Sequence, residues 1–440
     1  MLSFFSSIVY RRVCFALLCS ISGGCATYSE SFKPLEREII AQRPAKALKI
    51  LEKSQPSGND RLLYFLDKAM FLRMMGNLKE SNKALEEAKK YIEKFSPTSI
   101  TEETAAFFVN DSTRAFIGAP FEQVLVNFYA ALNYLQLGEL DAARVEAQQV
   151  DIKLKTLSQS DQNPILIADP FARYLTGIIY EDLGEWSNAL IAYRKAYQAY
   201  KAHQARYSMR IPQYLKRDLI RLTDYEGLRD ERDKYIKEFN IKRWQKQQSL
   251  NKQGEVVFIM NNGLAPIKRQ RTVALAAIKG QVVRVSLPFY QKRRNGLSHA
   301  SISTANQSAR SVEVKDINSI AEKTLANFMP GITARAIARA VAKHNVAREV
   351  GDRHALAGLA MMVTNVATEV ADTRSWLTLP GELHMARLPL KPGNYNIKLE
   401  LRGAGNYTLH TYQYKDVQVK RGAKTYLTHH WVSPRALRSQ

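Results

Sequence analysis

Apolar residues recur at helical spacing from about residue 29 to 239, and at a period of two in most of the chain beyond residue 254. In the first half Ala, Leu, Glu, Lys and Tyr dominate and prolines are sparse within the runs, so helix is predicted throughout. Three segments share a finer pattern: MMGNLKESNKALEEA from Met74, QLGELDAARVEAQQV from Gln136 and DLGEWSNALIAYRKA from Asp182. The first runs Gly76, Leu78, Ser81, Leu85, Ala88. The second runs Gly138, Leu140, Ala143, Ala147, Val150, and the third Gly184, Trp186, Ala189, Tyr193, Ala196. A glycine at the head suits a tight turn between helices, and the small residue five positions later lets two helices approach closely. Each segment therefore predicts a helical hairpin. Residues 41 to 53 and 222 to 236 read as degenerate opening and closing members of the series. Tyr193, Tyr197 and Tyr200 fall on one helix face, which predicts packing against the neighbouring hairpin, with Arg194, Lys195 and Lys201 in solvent.

The pattern changes after a polar, basic junction, NIKRWQKQQSLNKQG, at residues 240 to 254. EVVFIMNNG, QVVRVSLPFY, HASIST and SVEVKDI predict short strands between about 255 and 315. Helical spacing returns from about 317 to 369, and ARLPLKPGNYNIKLEL, TLHTYQYKDVQVKRG and KTYLTHHWV predict strands between about 383 and 432. The expected organisation is multidomain: a signal peptide over 1–24, an all-α repeat domain over 25–240, and an α+β domain over 241–440. The last would contain a small antiparallel β-sandwich-like part.

The glycine-led hairpins resemble the tetratricopeptide repeat. The resemblance implies a stacked array with a concave groove for peptide or protein partners. The glycines at 76, 138 and 184 lie farther apart than the ~34 residues of a regular array, so insertions separate the units.

At the amino end, Arg11 and Arg12 precede an apolar run over 13–21, then Ser22-Gly23-Gly24 and Cys25. This is the order of a secretory signal peptide. The run is shorter than the ~20 residues a spanning helix needs. Cys25 after small residues resembles the lipobox of bacterial lipoproteins, which implies cleavage before Cys25 and lipidation of its thiol and new amino end. Ala26, at the sorting position, implies transfer to the outer membrane. Cys14 and Cys19 would leave with the signal, and no cysteine follows Cys25.

A formal net charge of +23 favours anionic partners. Export would exclude nucleic acid and leave an envelope protein or an anionic envelope polymer, with the membrane reached through the lipid anchor. Candidate basic surface residues all follow the junction: Lys268, Arg269 and Arg271; Lys292, Arg293 and Arg294; and a helical stripe of Arg335, Arg339 and Lys343 opposite Ile337 and Val341. The least ordinary stretch is ADTRSWLTLPGELHMARLPLKPGNY, residues 371 to 395. Through Asp372, Arg374, Trp376, Leu379-Pro380, Arg387, Pro392-Gly393 and Tyr395 it resembles a family of bacterial envelope lipoproteins with a lipobox and a repeat-like helical half. That resemblance implies an outer-membrane lipoprotein facing the periplasm and names no activity.

No H-E-x-x-H, G-x-S-x-G, S-x-x-K, P-loop or C-x-x-C motif occurs. Catalytic residues, cofactor and metal ligands are accordingly not predicted. The adjacent His429 and His430 would point to opposite faces of a strand. Asp372, Arg374, Glu382 and His384 come nearest to a reactive set, so a hydrolase or transferase acting on envelope polymer through residues 369 to 387 is the rival expectation. A component of a surface appendage or secretion assembly is the third. The leading expectation is a lipid-anchored binding or scaffold protein.

Overall fold

A computed structural model describes residues 28–54, 58–96, 114–160, 169–207, 209–276, 282–293, 295–353 and 370–434. Cys25 and the signal segment lie outside the described residues, as do Arg294, residues 354 to 369 and the side chain of Lys343.

Among the described residues the first half forms five helical hairpins. They are α1 (Lys33–Ile40) with α2 (Pro44–Lys53), α3 (Arg61–Met74) with α4 (Leu78–Phe95), and α5 (Pro120–Leu137) with α6 (Leu140–Ser160). α7 (Pro170–Asp182) with α8 (Trp186–Tyr207) and α9 (Gln213–Tyr225) with α10 (Arg229–Phe239) complete the series. One turn joins every pair. Gly138 N–H donates to the Leu135 carbonyl and Glu139 N–H to that of Tyr134, and the same two bonds recur at Gly76, Gly184 and Gly227. All four glycines sit at φ between 75° and 79°, a left-handed conformation that costs an L-residue roughly 1–2 kcal/mol. The first hairpin makes the same two bonds around Gln42, at φ 57°.

Within each hairpin the small residue is buried: Ser81, Ala143 and Ala189 are each at most 1 % exposed. Ser81 also donates its hydroxyl to the Ala69 carbonyl at 2.8 Å. At Gly177 in α7 an added Cβ would stand 2.3 Å from the Tyr193 ring of α8.

Among the described residues the second half contains ten strands. β1 (Gly254–Asn262), β6 (Val312–Asp316), β7 (Glu382–Leu390) and β10 (Lys424–Trp431) form one sheet in the order β10-β1-β7-β6. β4 (Leu297–Ser303), β5 (Ser308–Arg310), β8 (Gly393–Gly403) and β9 (Thr408–Val419) form a second, in the order β5-β4-β8-β9. β2 (Ile267–Ala276) and β3 (Val282–Gln291) make a separate antiparallel ribbon, on which the long helix α11 (Ile317–Arg353) packs Ala336 and Ala340 against Val285 and Leu287. The expected sandwich is present but not wholly antiparallel, because β1 and β10 run parallel.

β1 is buried along its whole length, which accounts for the unbroken apolar run at 256–260 in its middle. Val256, Phe258 and Met260 point into the core between the two sheets. Val257 and Ile259 point the other way, into a core that also holds Tyr129, Phe171 and Leu215 of the helical array. The layers are therefore helical array, first sheet, second sheet, and the array and the α+β half share one continuous apolar core. The expected concave groove is filled by the chain's own sheet and by residues 371 to 380. Among the described residues no helix is long and apolar enough to cross a membrane.

Candidate functional site

Residues 371 to 380 lie between the array and the sheets, held along their length by side chains from both. Arg374 closes a bidentate pair onto Asp372, at 2.6 Å on the shorter arm. It also reaches the Arg114 carbonyl at 2.8 Å and lies over the Phe116 ring. Glu122 of α5 accepts the Trp376 N–H at 2.7 Å; the indole N–H goes to Thr378, whose hydroxyl donates to Asp67 of α3 at 2.7 Å. Lys268 takes the Arg374 carbonyl and Arg293 the Leu377 carbonyl, each at 3.1 Å. Asp372, Arg374 and Trp376 are all buried. Buried polar groups must be paired; here some pairings are local to the segment, and those from Glu122, Asp67, Lys268 and Arg293 clasp it to the array and the ribbon.

Arg387 on β7 makes the second tie. It grips Glu255 of β1 bidentately at 2.8 and 2.6 Å and pairs with Asp218 of α9. Arg221 pairs with Glu181 and Asp218, and Lys424 with Glu181 at 2.8 Å. Three buried cations thus face three buried carboxylates across the seam. Burial raises Glu181, but Arg221, Lys424 and Arg387 outweigh it and hold the carboxyl well below its ordinary range.

The basic residues expected on the surface divide into several groups, and two are corrections. Lys268 and Arg293 are buried, because their stems thread between layers to reach the carbonyls of the clasp; Arg293 also pairs with Glu36. Lys292 is exposed and pairs with Glu322, and Arg271 is exposed. Arg335 and Arg339 are half-buried, and the open face of α11 carries Ala334 and Ala338 instead. Arg269 is half-buried on β2.

Arg335, Arg339 and Lys268 meet in a cavity of about 300 Å³ between α11, the β2–β3 ribbon and residues 114–121. Phe116, Phe121, Tyr290, Phe328 and Ile332 supply apolar walls, Arg114 adds a fourth cation, and among the described residues Asp372, already neutralised by Arg374, is the one acidic residue in the lining. Burial, then the neighbouring Arg339, pushes the Arg335 guanidinium down. Lys268 is likewise lowered by burial, against the pull of Asp372 and Glu122. An apolar chamber with crowded cations favours a ligand that is apolar along most of its length and anionic at one end. Sequence reasoning placed these residues apart, since the ribbon and the helix meet only in the fold; the small residues Ala336 and Ala340 were the available signal that this face of α11 docks.

Of the repeat-packing residues, Gly76, Gly138 and Gly184 form the turns, while Ala143, Ala189, Tyr193 and Ala196 are buried. Trp186 packs edge-on against Tyr225 at 5.4 Å. His384 does not join Asp372 and Arg374 but bonds Glu382 at 3.2 Å. With Glu313 of the paired strand these groups bring three potential cation ligands within 4.8 Å of one another, a trio the linear sequence does not suggest.

No protein-family model and no curated protein sequence matches the chain. Among solved structures, MamA from AMB-1 is 15% identical with a TM-score of 0.30, covering 48% of this chain and 88% of its own. A Podosopora anserina protein described as a kinesin light chain with nearly identical TPR-like repeats gives 15% identity and a TM-score of 0.30, over 48% of this chain and 91% of its own. MamA from MSR-1 is 15% identical with a TM-score of 0.28, over 48% and 92%.

Proposed function

We propose that this is a lipid-anchored binding protein of the bacterial envelope, facing the periplasm, whose repeats scaffold its own sheets and whose basic cavity takes an anionic amphiphile. The observation that carries the reading is the convergence of Lys268, Arg335 and Arg339 on one apolar chamber. The order of charged, apolar and small residues before Cys25, and the net charge of +23, support the anchor and the sign of the ligand. The test is calorimetric titration of the Cys25→Ser protein with dodecyl phosphate and with dodecyl maltoside. Only the phosphate should bind, and Arg335→Gln with Arg339→Gln should weaken it at least tenfold without changing the circular dichroism spectrum. Equal affinity for both amphiphiles, or for the double variant, refutes the cavity assignment. In cells Cys25→Ser should leave the outer-membrane fraction, and its retention there refutes the anchor.

A second reading, a protein partner, is favoured by the outer face of the array. Val145 and Ile152, one heptad apart on α6, are 54% and 56% exposed, and Ile191 on α8 is 48% exposed. Photo-crosslinkers at 145 and 152 would capture such a partner where one placed on the exposed face of β9 would not.

A further inference from the structure

We infer that a second cleft, between α1, α3 and the strands β9 and β10, binds a ring-bearing carboxylate, its charged group on Arg73 and its ring against Tyr412 and His429. The site is separate from the basic cavity and does not depend on the reading proposed for it.

The cleft measures about 400 Å³. Arg73, 8 % exposed, lies in its wall. Its hydrogen bonds go to Asn133, to Gln136 at 2.8 Å and to Thr428 at 3.2 Å, all neutral, and its guanidinium lies 5.6 Å from the Tyr129 ring centroid. Among the described residues the lining contains no Asp or Glu, and no carboxylate pairs with Arg73. The contrast is internal. Arg221, Arg293, Arg374 and Arg387 are buried to a similar degree, and each holds a carboxylate. An unpaired buried charge costs several kcal/mol, and burial pushes Arg73 down to about 10. A side chain needed only to tie Gln136 to Thr428 requires no charge. One bound anion would restore the balance, and the planar guanidinium matches a carboxylate.

A second group converges on the same space. The Nε2 of His430 is buried without a hydrogen-bond partner, and His430 lines the cleft. Burial, then His429, lowers it to about 3 against a hydrogen bond to Gly263, so at neutral pH the imidazole adds no second charge beside Arg73. The wall beside it is aromatic. Tyr412 lies 5.2 Å from His429 and 4.9 Å from Tyr414, and 45% of it is exposed. The methionines of α3 and its turn face this wall, and thioethers adapt to flat apolar bodies. A ring between them and Tyr412 fills the slot, whereas a bare oxyanion would leave it empty. A single buried cation also balances one negative charge better than two.

The full chain, purified in a neutral detergent, would be titrated calorimetrically with benzoate, glucuronate, benzamide and inorganic phosphate. We expect benzoate or glucuronate to bind, the stronger of the two identifying an aromatic acid or an acidic sugar, with benzamide and phosphate at least tenfold weaker. Arg73→Gln should abolish binding and Tyr412→Ala should weaken it at least fivefold. Tyr412 is exposed, so its variant carries the test if Arg73→Gln does not fold. The inference falls if neither carboxylate binds, if benzamide matches benzoate, if phosphate alone binds as tightly, or if Tyr412→Ala changes nothing.

Discussion

Arg387→Met removes the cation that joins β7 to both β1 and α9. It leaves Glu255 and Asp218 buried, with Arg221 and Lys424 as the remaining counter-charges. Breaking one partner out of a buried ion pair typically costs about 3–5 kcal/mol, and methionine preserves most of the apolar volume, so the cavity contribution is small. Unfolding entropy near 2.1 cal/mol/K per residue gives roughly 0.9 kcal/mol/K for a chain of this length. If the shared core makes the array and sheets melt together, a loss of about 4 kcal/mol lowers Tm by about 4–5 °C in a single calorimetric transition. Two halves melting separately would show two transitions, one of them moved by roughly twice as much. Glu255→Gln completes a double-mutant cycle. With the arginine gone, neutralising Glu255 relieves a stranded charge, so the double variant should be less destabilised than the sum by about 2–3 kcal/mol. Acid gives a second check. Burial raises Glu255, but Arg387 and Lys424 prevail and hold it below its ordinary range, so its stabilisation is present above about pH 4.5 and is lost as pH falls through the depressed value. In Arg387→Met the same carboxyl loses its main counter-charge and takes up a proton earlier. The Tm gap between wild type and variant should therefore narrow as the pH is lowered. Additive single effects, or a gap that widens in acid, would refute the argument.

Two further outcomes follow from local geometry. Gly177→Ala should cost about 1–3 kcal/mol by driving a methyl into the Tyr193 ring, read as a lower Tm with unchanged helix content; a neutral effect would mean that the α7–α8 contact is looser than described. Asp67 is raised to about 6, chiefly by burial, against the hydrogen bonds from Tyr28 and Thr378. A carboxyl raised on folding loses stability as pH rises from about 4 to about 6, so Asp67→Asn should flatten Tm against pH across that window, and an unchanged slope would show that Asp67 ionises freely in the fold.

What the sequence made legible depended on how local the cause was. The turns at Gly76, Gly138 and Gly184 need only a left-handed residue and a small partner five positions on, so the hairpins could be read directly. Gln42 makes the same turn at a steric cost and gave no such signal. Strand alternation revealed the sandwich, while the unbroken apolar run of β1 announced a strand covered on both faces without saying by what. The charges were the least legible. Lys268 and Arg293 look like surface residues because the carbonyls they serve lie 106 and 84 positions away. Arg73 passed unnoticed inside FLRMM, although a cation within an apolar run is itself a sign of a buried polar task.

The helix α5 decides why the repeats cannot present an open groove. Every residue from Pro120 to Asn133 is buried, and a helix that is apolar on all sides needs cover on all sides. Neighbouring helices of the array supply one flank; the first sheet and the Trp376 clasp supply the other, with Tyr129 packed edge-on to Trp376 at 6.0 Å and bonded to Asn261 at 2.8 Å. A separable partner in that groove would leave Leu125, Phe128 and Tyr129 in water whenever it left. With the groove filled, the cavities lie where the layers meet without closing. Two cavities among the described residues lie at such seams: one between residues 114–121, the ribbon and α11, the other between α3 and β10. Each takes its cations from groups that also tie layers together, Lys268 in the first and Arg73 in the second. A ligand held at either seam would be linked to the docking of the sheets on the array, since an anion that binds only the docked state stabilises it by mass action.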